Sequence, residues 1–166
     1  MIMHPSPPYI KMLKVLHVAL LTMQVLSVLA MFSLVYFNFT NSFELGNISN
    51  ELLIASVFIF AIAYQGGETL FKRKLAAARE SNLPAFKKME VYRSAHLMRW
   101  AIMEFAAILC TIFFFLTGNY YIILIAALLI ILFFTTKPGA EKTLADLQIS
   151  AEDMEKWTAG NDSGNE

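Results

Sequence analysis

The chain has 166 residues, 57% of them hydrophobic, with 13 basic and 13 acidic side chains and a formal net charge of zero. That apolar share exceeds the ~45–50% of a soluble domain, and what lies outside the apolar runs is too little for a large soluble domain. The single cysteine, Cys110, excludes an intramolecular disulfide and with it the dithiol membrane oxidoreductases.

Residues 1–10 carry Pro5, Pro7 and Pro8, which lack the amide proton and restrict their predecessors, so this segment is expected to be extended. The first apolar run, 15–37, follows Lys11 and Lys14. It resembles a signal peptide in its basic start, but it is longer than the usual ~7–15 residue apolar region and has no small-residue cleavage site, so it reads as a retained span. The connection 38–50 is polar, with Glu44 as its one charge, and fits an external loop. Its Asn38-Phe39-Thr40 and Asn47-Ile48-Ser49 match glycosylation acceptors, matches that arise by chance in such a loop.

The second run, 52–71, leads straight into Lys72–Glu80, mostly strong helix formers. Ser81 and Asn82 then suit a helix N-cap and Pro84 a first turn. The pattern therefore predicts two long helices joined by a tight turn near 81–83, each projecting ~15 Å beyond the bilayer and carrying most of the basic charge. The third run, 97–117, passes through Thr117-Gly118-Asn119-Tyr120, a short turn whose Gly118 and Asn119 tolerate positive φ, into the fourth run, 120–136. Tyr120 and Tyr121 suit an interfacial aromatic belt. Pro138-Gly139 ends the run. In the tail, Leu144, Leu147, Ile149, Met154 and Trp157 form an apolar stripe, and Ser150 with Asp153 resembles a helix start. Residues 158–166, rich in Gly, Asn, Asp and Ser, are expected to be disordered.

Every Lys and Arg lies before the first run, at or between the facing ends of the second and third, or after the fourth. Basic loops stay in the cytoplasm, so the expected fold is all-α. It is a four-helix transmembrane bundle of two antiparallel hairpins, with helices two and three extended into the cytoplasm and both termini on the cytoplasmic side of the membrane. The domain plan is an extended N-terminus (1–10), a four-span membrane domain (11–137) and a cytoplasmic amphipathic tail (138–166). The basic stalk would meet anionic lipid headgroups; it lacks the aromatic interleaving of a nucleic-acid surface.

Ionisable residues inside a span are costly and usually face the bundle interior or a cavity. Counting depth from the cytoplasmic ends places His17, Gln65, Glu68, Arg99 and Glu104 in one cluster drawn from three helices. Glu68 is the expected partner of Arg99, and Glu104 is expected to meet His17 or Gln65. Two readings stand. The cluster is a proton-responsive or ion-coordinating site, or it fixes helix packing through polar contacts. Gly66-Gly67 reads as a close-packing point, or as a helix break on a transport path. His17 and His96 do not share a level suited to haem ligation. No spacing fits a structural metal site, phosphate loop or catalytic triad, so no cofactor and no enzyme activity are expected.

The stretch Tyr92-Arg93-Ser94-Ala95 followed by Arg99-Trp100-Ala101-Ile102-Met103-Glu104 resembles a group of small four-span bacterial membrane proteins of unknown function. Gly118-Asn119, Lys137-Pro138 and Asp146-Leu147 follow in the order seen in that group. The resemblance implies bacterial origin and four spans, and no activity. Small multidrug exporters carry a key Glu in span one, where this chain has no acid. The expected function is that of a small integral membrane protein working as an accessory or partner-binding subunit, or as a homo-oligomer. The alternative is an oligomeric proton- or ion-linked transporter or channel using Glu104.

Overall fold

A computed structural model describes residues 8–37, 48–81 and 83–148. Among these residues the chain is all-helical, with five helices and no strand: α1 (Pro8–Tyr36), α2 (Ser49–Glu80), α3 (Ala85–Thr117), α4 (Tyr120–Thr135) and α5 (Ala140–Leu147). Three of them, α1, α2 and α3, are long and apolar enough to cross a membrane. Helix α4 is as apolar but has 16 residues, about 24 Å at the helical rise, against a hydrocarbon core of about 30 Å.

Helix α3 is the centre of the bundle and packs on each of the other four helices; α1 rests on α3 and α4, and α2 on α3, α4 and α5. Most of the large side chains on the outer face of α1 are exposed, Val15, Leu26 and Leu29 among them. That is the pattern of a helix whose second solvent is lipid rather than water. The buried stripe of α2 runs Ala63, Gly67, Phe71, Leu75, Ala78, one residue per turn. Along the α2–α3 seam Glu68 meets Arg99, Phe71 meets His96 and Lys74 meets Ser94.

Local chemistry sets the helix ends, and in several places differs from what the sequence suggests. Helix α1 begins at Pro8, inside the segment expected to be extended; proline suits the first helical position because that amide has no intrahelical acceptor. Ile10 is already fully buried. Ser81 does not cap the start of α3. It closes α2, its hydroxyl donating to the Ala78 carbonyl at 2.7 Å. Pro84 is the N-cap of α3, and its carbonyl accepts from the amides of Lys87 and Lys88. In the α3–α4 turn only Gly118 uses a left-handed backbone, at φ 64°, where a Cβ would crowd the following carbonyl. Asn119 is an N-cap instead: its Oδ1 accepts from the Tyr121 amide, and its Nδ2 donates to Ser49 Oγ at 2.9 Å, tying the turn to the start of α2.

The tail differs most. Helix α5, which carries Leu144 and Leu147 of the apolar stripe, folds back on the ends of α2 and α3. Leu147 and Thr143 are fully buried, and Arg79 Nε donates to the Asp146 carbonyl. Burying Leu147 on the bundle removes apolar surface from water without any second protein. The expectations for Ile149, Ser150, Asp153, Met154 and Trp157, for the disordered end and for most of the loop 38–50 lie outside the described residues.

Candidate functional site

The five residues grouped by depth do not form one site. Arg99 and Glu68 come together as an ion pair, the only one among the described residues. Gly67 makes room for it: a Cβ added there would lie 3.5 Å from Arg99 Cγ and 3.8 Å from the Arg99 carbonyl oxygen. The absent side chain lets α2 approach α3 closely, as small residues do in membrane bundles. The guanidinium also lies over the Phe71 ring, 5.3 Å from its centre, a cation–π geometry. Gly66, by contrast, faces open space. Helix α2 runs unbroken through both glycines, so the helix-break reading is corrected.

Gln65 is exposed and does not join the cluster. It sits two residues from both Ala63 and Gly67 of the buried stripe, which turns it about 200° away at 100° per residue. Depth counting fixes height along a helix but not direction around it. Glu104 is partly buried on α3 and makes no hydrogen bond or ion pair with His17, Gln65 or any other described residue. Its expected partners are therefore corrected.

His17 has partners of a different kind. It is 1% exposed, stacks on Phe133 with ring centres 4.8 Å apart, and lies tilted against Trp100 at 5.1 Å. Its Nε2 is 3.0 Å from the Phe133 carbonyl oxygen. A carbonyl only accepts, so Nε2 carries the proton and donates. The same carbonyl accepts from the Thr136 amide at 2.9 Å and the Thr136 hydroxyl at 2.6 Å. The hydroxyl in turn accepts from the Trp100 indole N–H at 2.9 Å. The Phe133 carbonyl near the end of α4 is thus satisfied by His17 of α1 and by Thr136, whose hydroxyl is held in turn by Trp100 of α3, meeting a need every helix C-terminus has.

This array continues along α3. His96 lies 5.1 Å from Trp100, 4.5 Å from Tyr92 and 4.7 Å from Phe71, ring centre to ring centre. It is fully buried, and neither ring nitrogen has a hydrogen-bond partner. The Tyr92 hydroxyl faces Thr143 and Asp146 of α5 without a well-formed hydrogen bond. Sequence reasoning missed Trp100, Phe133 and Thr136 as members of a polar-aromatic array. The signal was present in α3 as Tyr92, His96 and Trp100 at successive four-residue steps, which places them on one face.

His17 and His96 both lie against Trp100, with His17 Nε2 already committed to a carbonyl. Among the described residues no three His, Cys, Asp or Glu side chains converge as a metal site would require. Gln24, two turns beyond His17 on α1, is 4% exposed with both side-chain amide atoms unpartnered. Cys110 is buried as a free thiol. No protein-family model, curated protein or solved structure matches the chain.

Proposed function

We infer that the protein is a four-span integral membrane subunit that works by binding a membrane partner rather than by catalysis. In this reading α4 is the fourth, short span, the helices form two antiparallel hairpins, and both termini with the α2–α3 stalk face the cytoplasm of a bacterial inner membrane. The absence of Lys and Arg from the segments between runs one and two and between runs three and four supports it. Reporter fusions at residues 43 and 157 are expected on opposite sides of the membrane; the same side for both would overturn the topology.

One observation carries the partner-binding role. Glu104 stands in the middle third of α3, only partly buried, with no hydrogen bond or ion pair among the described residues. An acid left bare toward lipid is expensive, and such groups pair with another polar group inside a bundle or across an interface. A second copy of the chain or another membrane protein supplies that group. Cross-linking from a cysteine at Ile108, exposed one turn from Glu104 on the same side of α3, is expected in membranes to give one discrete adduct, which Glu104→Leu should abolish while the monomer stays folded. An unchanged adduct in Glu104→Leu would remove the role assigned to the carboxylate.

A second reading rests on Gln24, a buried amide with unpartnered atoms inside the same bundle. Gln24 and Glu104 would line part of an ion-linked path in an oligomer. Proteoliposomes holding the wild-type chain should then show a pH-dependent flux that Glu104→Gln removes.

A further inference from the structure

The lipid-facing side of α3 changes character along its length. Glu90, Arg93 and Ser94 form its charged part, followed by Leu97, Met98 and Ala101, and these six side chains wall an open groove of about 690 Å³. At Met98 and Ala101 it runs into a second groove, about 410 Å³, between α3 and α2, where Ile59, Ile62, Phe105 and Leu109 stand among an entirely apolar lining. Lys74 reaches over from α2 to donate to Ser94 Oγ at 2.9 Å, which brings a second cation to the charged end. Among the described residues Glu90 and Arg93 enter no ion pair.

From the outer end inward the order is therefore an acid, then two cations with a hydroxyl, then a long apolar channel. At the helical rise Arg93 lies about 4.5 Å below Glu90, and Ala101 about 16 Å below it. A phospholipid with an amine-bearing headgroup has the same order: ammonium, phosphate, ester, acyl chain.

We propose that this groove binds an aminophospholipid, with its phosphate held by Arg93, Lys74 and Ser94, its ammonium by Glu90, and one acyl chain lying over Met98 and Ala101 into the α2–α3 groove. A glycerol headgroup would satisfy the two cations through the same phosphate but bring no positive charge to pair with Glu90. A trimethylated choline headgroup has no N–H to donate to that carboxylate. Ala101 keeps the junction open, since its methyl group is the smaller of the two side chains shared by the two grooves. The proposal rests on α3 being a membrane span, and its test separates the two.

The full chain would be reconstituted in vesicles of phosphatidylglycerol containing a minor fraction of photoactivatable phosphatidylethanolamine, with matched phosphatidylcholine and phosphatidylglycerol probes. Mass spectrometry would map the adducts. The ethanolamine probe is expected to label Met98–Phe105 and Ile59–Ile62 above the level on Leu124 and Phe134, which are exposed on α4 away from the groove. Arg93→Gln should lower groove labelling about tenfold, the effect of losing one charged hydrogen bond. Glu90→Gln should abolish the preference for ethanolamine over glycerol while keeping labelling by both. Ala101→Trp should block the groove and leave labelling of Leu124 unchanged. Equal labelling of groove and α4, or no change in Arg93→Gln and Glu90→Gln, would overturn the site while leaving the membrane span intact. No labelling of α3 or α4 by any probe would instead overturn the span.

Discussion

The Nε2 of His17 donates to the carbonyl of Phe133 while the two side-chain rings stack face to face, so one residue of α1 engages both the backbone and the side chain of one residue of α4. The contact joins positions 116 residues apart. It lies at the end of α4, where a helix of 16 residues runs out of internal partners for its carbonyls.

His17→Phe keeps the ring and loses the hydrogen bond. Because Thr136 still serves the Phe133 carbonyl from two atoms, the expected loss is small, about 1 kcal/mol. His17→Ala removes the ring from between Trp100 and Phe133 and should cost about 3 kcal/mol through the cavity it leaves. Denaturant unfolding in detergent micelles would check the order. Equal losses for the two variants would mean that the hydrogen bond, rather than ring packing, dominates.

Arg99 and Glu68 form an ion pair whose arginine side chain is 10% and glutamate 23% exposed. Either single replacement, Arg99→Gln or Glu68→Gln, leaves a poorly solvated charge and should cost about 3 kcal/mol; the double variant should recover much of it. The double-mutant cycle reads the coupling directly. Additive losses would show that the two charges are solvated independently.

Gly67 and Gly66 should respond differently to side-chain size. Gly67→Ala places a methyl in ordinary contact with Arg99 and should be neutral, or stabilise by up to about 0.5–1 kcal/mol through helix propensity. Gly67→Leu should force α2 off α3, break the Glu68–Arg99 pair and cost more than about 2 kcal/mol. Gly66→Leu, with nothing within 4 Å, should carry no steric cost and only the same small gain in helix propensity. Thermal unfolding of the four proteins would show whether Gly67 alone is the closest approach of the two helices.

Gln24 offers a sign test. Its amide is buried with both polar atoms unpartnered, and an unmade hydrogen bond costs about 1–3 kcal/mol. Gln24→Leu is nearly isosteric and should raise the unfolding midpoint. A lowered midpoint would mean that the amide is satisfied in the membrane, as an oligomer or a hydrated path would allow.

Helix class and the long α2 and α3 were legible because hydropathy is averaged over many residues, so no single position decides it. The matching heights of Glu68 and Arg99 along their helices were legible too, since height follows from counting at a fixed rise, and the two do meet. What counting could not give was direction. Gln65 stands exposed on the wrong face, and Glu104 makes no hydrogen bond or ion pair with His17. The array around Trp100 depends on the end of α4 bringing Phe133 and Thr136 beside it, a tertiary fact with no local signature. The docking of α5 escaped for a related reason: an amphipathic stripe shows that an apolar face will be covered, not by what.

The placement of α5 also bears on the order in which the molecule is completed during synthesis. Trp100 finds its hydrogen-bond partner 36 residues later, at Thr136, and Arg79 waits 67 residues for the Asp146 carbonyl. When α3 leaves the ribosome, the aromatic face of Tyr92, His96 and Trp100 has half its walls missing. The last two described helices close what the first three leave open, so a stalled or shortened chain would hold its spans and still present an unfinished, water-accessible end to the quality-control machinery of the cell.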